Sequence, residues 1–293
     1  MSARRGALED VIAPAPPPAA APRFPGFTYH GGPIVTSPVV YTSFWGGLWA
    51  RDAAHQQAAA RLVQFCRDLL SSKFMNVLSQ YGVGNGRFAQ SSNISNVAAQ
   101  LSDAAVQQTI QTAIDSGLIP EPPSGISSQV LIVFLDESVE VKDQALGVVM
   151  CEPQGDTAFG YHNSFTTTAG NPFYYAVVPA LNDTCLEESC PGNDAGCTLH
   201  LAESQEQRRT QVTSHEFAEM VTDPQVPTGW IDLDDANSGE NGDICNGETA
   251  TITAGANTWT VQSIYSKEDD EQSGGASYCL AQAPNPLPPL PRR

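Results

Sequence analysis

The residues of this chain that could carry out chemistry are concentrated in one short segment, His215-Glu216-Phe217-Ala218-Glu219. Residues four apart in an α-helix lie about 40° apart around its axis, so the imidazole of His215 and the carboxylate of Glu219 would leave the same face and could bind one cation. Glu216 lies about 100° further round and could reach a water on that cation. The segment has the HExxH pattern of zinc proteases with its second histidine replaced by glutamate. It predicts a zinc-dependent hydrolase, most simply a metallopeptidase, in which Glu216 is the general base on a metal-bound water.

A zinc site of this kind needs a third protein ligand, and the acidic segment 239–245 supplies candidates. In zinc proteases of the gluzincin type, a glutamate beyond the helix completes the metal site, and Glu240 stands at a comparable distance from Glu219. Asp243 could hydrogen-bond His215 and fix its tautomer, or it could itself be the third ligand. We therefore predict His215, Glu219 and Glu240 as the metal ligands.

His162, in the small-residue segment 159–164, is the second candidate for a catalytic residue. It could donate a hydrogen bond to a developing oxyanion, or it could replace Glu240 as the third ligand. The alternative interpretation is a solvated acidic helix face, since an HExxE string arises easily by chance. Two carboxylate ligands would also neutralise the charge of the ion, which favours slow turnover, a higher pH optimum or a different metal.

These residues need a helix and a sheet to position them. The helix is predicted over residues 203–221, with acidic residues in its first turn and Asp223-Pro224 after its end. Apolar periodicity predicts a helical segment over 54–78, ended by Gly82, and another helix from the N-cap Ser102 to Gly117. Apolar and β-branched runs predict strands at 38–45, 130–135, 147–150 and 173–178.

This order of elements predicts an α+β fold: a single zincin-like domain with a mixed sheet, an HExxE active-site helix and a loop-rich C-terminal part tied by disulfides. The domain is expected to span residues 27–282. Residues 1–26 are expected to form a flexible Pro/Ala-rich lead, and residues 283–293 a Pro-rich tail.

Composition narrows the classes of function. The chain has 293 residues, of which 41% are hydrophobic and 16% charged, and this excludes a wholly disordered protein. Asp and Glu number 32 against 14 Lys and Arg, a net charge of −18, so nucleic acid and anionic membranes are poor partners. Because no stretch reaches the roughly 18 apolar residues that span a bilayer, membrane insertion is not expected. The expected partner is a peptide or protein substrate.

Seven cysteines are many for a protein of a reducing cytosol. We predict two or three disulfides, with Cys66 free in its helix. The sequence does not give the pairing, but Cys245, if joined to Cys279, would hold the acidic loop in place. The alternative is a structural zinc site made by Cys185, Cys190, Cys197 and His200, whose spacing lacks the usual short pairs. The cysteines favour an extracellular protein, although the N-terminal segment is not a convincing secretory signal.

Five motifs, taken in order, resemble the phosphate-induced protein 1 or EXORDIUM-like family over roughly residues 29–279. They are Tyr29-His30-Gly31-Gly32-Pro33 with the strand that follows, Gly160–Ser164, His215–Glu219 with Asp223-Pro224, Glu240-x-x-Asp243-Ile244-Cys245, and Val261–Ser266. The resemblance implies a secreted or cell-wall-associated protein. The plant members' Cys-Gly-x-His pattern is here Phe159-Gly160-Tyr161-His162, which implies that one of their disulfides is missing or paired differently.

A different class of function is also open. The chain could be a non-catalytic extracellular binding protein whose acidic loops hold Ca²⁺. The oxygen-bearing residues for this are Asp232, Asp234, Asp235, Asn237 and Asp243, whose order does not fit an EF-hand loop. Measured metal content and the effect of replacing Glu216 distinguish this class from a hydrolase.

Overall fold

The structure is a computed structural model that describes residues 23–125, 128–145, 148–151, 157–189, 198–199, 201–234 and 239–292. Its helices are α1 (Leu48–Arg51), α2 (Ala53–Ser71), α3 (Phe74–Leu78), α4 (Asp103–Asp115), α5 (Asp183–Ser189), α6 (Gln205–Thr222) and α7 (Lys267–Ser273). Its strands are β1 (Phe27–Tyr29), β2 (Val39–Trp45), β3 (Arg87–Ile94), β4 (Gln100–Leu101), β5 (Gln129–Leu135), β6 (Glu140–Asp143), β7 (Val148–Met150), β8 (Thr157–Ala158), β9 (Tyr161–Thr166), β10 (Pro172–Val178), β11 (Trp230–Asp232), β12 (Thr249–Ala254), β13 (Asn257–Gln262), β14 (Ile264–Tyr265) and β15 (Cys279–Leu280).

The central element is a five-stranded mixed sheet in the order β3-β2-β5-β10-β9. The first four strands are mutually parallel, and β9 pairs antiparallel with β10 at the edge. Every residue of β5 is buried, and its alternate side chains enter two different hydrophobic cores. Helices α2, α3 and α6 cover one face of the sheet and α4 covers the other, so the core consists of two layers.

The helices begin where the sequence supplies N-caps. Asp52 accepts a hydrogen bond from the His55 N–H at the start of α2, and Ser102 accepts one from the Ala105 N–H at the start of α4. Ser204 and Gln207 form a capping box at the start of α6. These caps fix the register with which each helix presents its side chains.

Helix α6 is buried on nearly all sides. Its inner face packs against β10, β9 and β5, and α2 and β13 contact it elsewhere. From Arg208 to Thr222, His215 alone is not fully buried. The hairpin of β12 and β13 therefore covers the outer face of α6, which would be exposed to solvent in an ordinary amphipathic helix.

The described part of the fold contains four smaller sheets. They are β4-β6-β7-β8 and three antiparallel pairs, β1-β11, β12-β13 and β14-β15. The pairing of β1 with β11 joins the first strand to the segment that follows α6.

Two disulfides link described cysteines, Cys151–Cys185 and Cys245–Cys279, and Cys66 is free and buried. The prediction of two or three disulfides with Cys66 free agrees with these bonds, and the bond between Cys245 and Cys279 is the one that would hold the acidic loop. The alternative zinc site is wrong because Cys185 is bonded to Cys151. Its other members, Cys190, Cys197 and His200, lie outside the described residues. Disulfides of this kind indicate an extracellular or otherwise oxidising environment.

The Pro-rich C-terminal segment lies along α3. The Leu287 N–H donates to the Asn76 carbonyl at 3.0 Å, and the Leu290 N–H donates to the Gln80 carbonyl at 2.8 Å. Both leucine side chains are half-buried against the main core. The segment thus contributes backbone hydrogen bonds and apolar contacts to the domain.

Ending the chain at Pro284 should lower the free energy of unfolding by about 2 kcal/mol, because two half-buried leucines lose about 1 kcal/mol each. Thermal denaturation followed by circular dichroism should show a Tm lower by roughly 4–8 °C. The control is Pro288→Ala in the full chain, since Pro288 is exposed. An unchanged Tm after truncation would show that the segment adds nothing to stability.

The expected strands at 38–45, 130–135, 147–150 and 173–178 correspond to β2, β5, β7 and β10. The predicted α+β class and mixed sheet are confirmed. Among the described residues, no helix combines the length and the apolar composition needed to cross a bilayer.

Candidate metal centre

Helix α6 carries His215, Glu216 and Glu219 in its last two turns. The helix ends at Asp223, whose Oδ1 accepts hydrogen bonds from the Thr228 and Gly229 N–H groups at 3.1 and 2.6 Å. The i, i+4 spacing brings His215 Nε2 to 3.1 Å from Glu219 Oε1. The predicted common face of these two side chains is therefore present.

Strand β9 supplies His162 from the opposite side. The neighbouring side chains Tyr161 and Asn163 point to the other face of the sheet and donate to the buried Asp103 of α4, at 2.8 and 3.1 Å. Because side chains alternate along a strand, His162 faces α6. Its β10 partner Ala176 belongs to the core that α6 also enters.

The loop between β11 and β12 supplies Glu240 and Asp243 and is hydrogen-bonded to α6. Asn241 Nδ2 donates to Thr222 Oγ1 at 3.0 Å, and the Asp243 N–H donates to Glu219 Oε1 at 3.0 Å. The Gly242 carbonyl accepts a bond of 2.8 Å from Gln262 Nε2 of β13. Two residues after Asp243, the disulfide of Cys245 anchors the same loop.

Two groups of potential ligand atoms result, and they share one carboxylate. The first consists of His215, Glu219 and Asp243, and the second of His162, Glu216 and Glu219; within each group the ligand atoms lie within 4.8 Å of one another. His215 Nε2 lies 3.6 Å from Asp243 Oδ1. His162 Nδ1 lies 3.6 Å from Glu216 Oε2 and 3.5 Å from Glu219 Oε2.

The first group is the more accessible to solvent. The side chains of His215 and Asp243 are 13% and 28% exposed, whereas that of His162 is 4% exposed. An ion held by the first group would therefore lie nearer to solvent than an ion held by the second.

The ionisable groups of the centre shift one another's pKa values. Burial acts to lower the pKa of His162, but Glu240, Glu216 and Glu219 outweigh it and hold that pKa well above its usual range. Burial likewise opposes the effect of His215 and His162 on Glu219, whose pKa nevertheless falls to about 2. These directions reflect the concentration of opposite charges around the Glu219 carboxylate.

Burial raises the pKa of four further carboxyl groups of the centre, those of Glu216, Asp223, Glu240 and Asp243. Burial raises the pKa of Glu216, which is the direction that a general base working near neutral pH requires. Burial, together with the Glu219 carboxylate, raises the pKa of Asp243 to about 7.

The sequence-based ligand set is only partly brought together. Asp243, which we considered as an alternative, lies with His215 and Glu219, while Glu240 is not in that group and faces His162, with 3.5 Å between Glu240 Oε1 and His162 Nε2. His162 contacts Glu216 and Glu219 instead of standing apart as an oxyanion donor.

Among the described residues, the suggested Ca²⁺ ligands do not come together at one site. Asp243 belongs to the centre, whereas Asp232 lies against Gly26 and accepts the Asp234 N–H. Asp235 and Asn237 lie outside the described residues.

Sequence reasoning missed Asp103 and Asp223. Asp103 fixes the strand that carries His162, and Asp223 is fully buried at the end of α6. The only sequence signal for Asp223 was its position before a proline, which indicates a helix end and not a buried carboxylate.

A side chain at Gly242 would displace the side chains of Glu219 and His215. A Cβ at this position would lie 2.7 Å from Glu219 Oε1 and 3.1 Å from His215 Cγ. The backbone of Gly242, at φ −77° and ψ −45°, suits any residue, so the effect of a side chain is steric. Gly160 has a similar role, since its Cβ would lie 2.5 Å from Glu216 Oε1.

We expect Gly242→Ala to weaken zinc binding by about 10–100-fold, the range for changes that misorient ligands. Competition with a fluorescent chelator measures the affinity. Gly84→Ala is the control, because its Cβ would meet only the Thr36 carbonyl oxygen, at 3.2 Å. Equal affinities in the two variants would mean that the loop and helix do not hold the ion between them.

The geometry of this centre is thus fixed by α6, β9 and the loop before β12. The chain matches no protein-family model, no curated protein and no solved structure.

Proposed function

We propose that the protein is a zinc-dependent hydrolase, most simply a peptidase. The observation that carries this proposal is the convergence of His215 Nε2, Glu219 Oε1 and Asp243 Oδ1 beside the buried carboxylate of Glu216. One imidazole nitrogen and two carboxylate oxygens are a donor set that suits zinc. The resemblance to the EXORDIUM-like family stays a prediction.

The separations within this donor set favour a shared ion. Ligands of a tetrahedral zinc ion, each about 2.0–2.1 Å from the metal, lie about 3.4 Å from one another. The distances from His215 Nε2 to its two partners, 3.1 and 3.6 Å, bracket that value, and at 3.1 Å His215 and Glu219 form a hydrogen bond that an ion would replace. A bound zinc ion would supply a Lewis acid that polarises a carbonyl and acidifies water.

The chain's own residues have distinct roles in this proposal. Glu216 acts as the general base that accepts a proton from the attacking water and returns it to the leaving amine. His162, whose Nδ1 lies 3.6 Å from Glu216 Oε2, adds a basic group beside that carboxylate. The Asp243 N–H, which donates to Glu219 Oε1, orients Glu219 as a ligand.

A peptide is the favoured substrate because β9 is the edge strand of the central sheet. Edge strands present unpaired main-chain groups, and an extended peptide can add to them by hydrogen bonding. A peptide bound along β9 would run past His162 and towards Glu216.

The test is metal content combined with peptide cleavage. The purified protein is stripped with a chelator, reloaded with one equivalent of zinc, and incubated with a broad peptide library. We expect about one zinc ion per chain, and cleavage that is lost on stripping and restored by zinc. Absence of stoichiometric zinc, or cleavage that survives the chelator, would contradict the proposal.

A further inference from the structure

The centre contains a second group of ligand atoms that one zinc ion does not use. We propose that His162, Glu216 and Glu219 form a second cation site, so that two ions share the Glu219 carboxylate, one on each oxygen. His215 approaches Glu219 Oε1, and His162 approaches Glu219 Oε2. This inference rests on the proposed function, since it assumes that the first group holds an ion.

The distances in the second group suit an intervening ion and not direct hydrogen bonds. His162 Nδ1 lies 3.6 Å from Glu216 Oε2 and 3.5 Å from Glu219 Oε2. An N–H···O bond normally spans about 2.7–3.2 Å, whereas two ligands of one zinc ion lie about 3.4 Å apart. The three atoms therefore stand where they would flank a cation.

The other ring nitrogen of His162 supports the same assignment. Among the described residues, neither His162 Nε2 nor Glu240 Oε1 has a hydrogen-bond partner, although both atoms are buried and lie 3.5 Å apart. A histidine that binds a metal through one nitrogen usually donates its other N–H to a carboxylate. Glu240 is placed to be that carboxylate, and a small movement would close the bond.

The charge of the centre also favours two ions. Five carboxylates are gathered here, and no Lys or Arg in the described part of the chain forms an ion pair with any of them; they are Glu216, Glu219, Asp223, Glu240 and Asp243. With all five carboxyl groups ionised and both histidines neutral, as metal binding requires of the ligands, one divalent ion would leave three negative charges uncompensated, and a second would leave one. Because uncompensated buried charge is costly, the second ion stabilises the assembled centre.

The second site has a consequence for activity, because Glu216 is both a ligand of the second ion and the proposed general base. An ion on Glu216 Oε2 would occupy the carboxylate that accepts the proton from water. Activity should therefore rise as the first equivalent of zinc binds and fall as the second binds. The second site is inhibitory and regulates the hydrolase by zinc concentration.

The experiment counts zinc bound to the full chain at saturation, in the wild type and in His162→Gln, with His30→Gln as the control. His30 is exposed, its ring bonds to the Ile231 carbonyl, and it belongs to neither group of ligand atoms. We expect two zinc ions in the wild type and in the control, and one in His162→Gln. So that the test does not depend on the folding of His162→Gln, zinc anomalous scattering from wild-type crystals gives an independent measurement, with two peaks expected about 3.5–4 Å apart.

Each other outcome overturns the second site. One zinc ion in both the wild type and His162→Gln removes the second site and leaves the proposed function standing. Two ions in His162→Gln put the second ion elsewhere in the protein. No zinc in any of the proteins overturns both the second site and the hydrolase.

Discussion

Replacing Glu216 with glutamine is expected to lower kcat for peptide cleavage by about 10²–10⁴-fold, the usual contribution of a general base. The amide has nearly the same shape as the carboxylate but cannot accept the proton of the attacking water. Glu216 does not belong to the group formed by His215, Glu219 and Asp243, so one zinc ion should still bind. The measurement is steady-state cleavage of a peptide from the library at one equivalent of zinc.

The matched control is Glu206→Gln, the same chemical change in the first turn of the same helix. Glu206 pairs with Arg61 at the surface, 2.9 Å away, and exposed pairs contribute little to stability. This variant should retain wild-type kcat and zinc content. If Glu216→Gln kept more than about a tenth of the wild-type rate, Glu216 would not be the base.

Replacing Glu219 with glutamine should have the largest effect on metal binding. Glu219 is the one residue common to both groups of ligand atoms, so its loss removes a charged ligand from each ion. Even residues that only orient a ligand cost about 10–100-fold in affinity, and we expect a loss of at least about 100-fold here. The glutamine keeps an oxygen that can accept the Asp243 N–H, so the loop should stay in place.

Glu240→Gln makes the same chemical change on a neighbouring carboxylate and is the comparison for Glu219→Gln. Because Glu240 contacts His162 and not His215, this variant should weaken only the second ion. Isothermal titration with zinc measures both affinities. Loss of the first ion in Glu240→Gln would instead favour the ligand set His215, Glu219 and Glu240.

The parts of the fold that could be predicted are those determined by local sequence. Helix α6 has a capping residue at Ser204 and Asp223-Pro224 at its end, and it runs from Gln205 to Thr222 where residues 203–221 were expected. The continuous apolar run of β5 identifies the strand buried on both faces. The i, i+4 relation of His215 and Glu219 follows from helix geometry alone.

The choice of partners across the centre could not be predicted, because it depends on contacts between distant segments. Glu240 and Asp243 are three residues apart in a loop, and spacing alone does not say which of them reaches His215. The bond from Asn241 to Thr222 and the bond from the Asp243 N–H to Glu219 decide it. The burial of α6 on its outer side was missed for the same reason, since the β12–β13 hairpin that covers it comes later in the chain.

The disulfide between Cys245 and Cys279 makes the way in which the protein is produced important. It links the segment that carries Asp243 to β15, and Cys245 is two residues from Asp243 in the chain. In the reducing cytosol of a bacterial host this disulfide would not form, whereas export of the chain to the periplasm would allow it to form. Batches from the two routes should differ in zinc occupancy, so an inactive preparation is informative only after its thiols have been titrated.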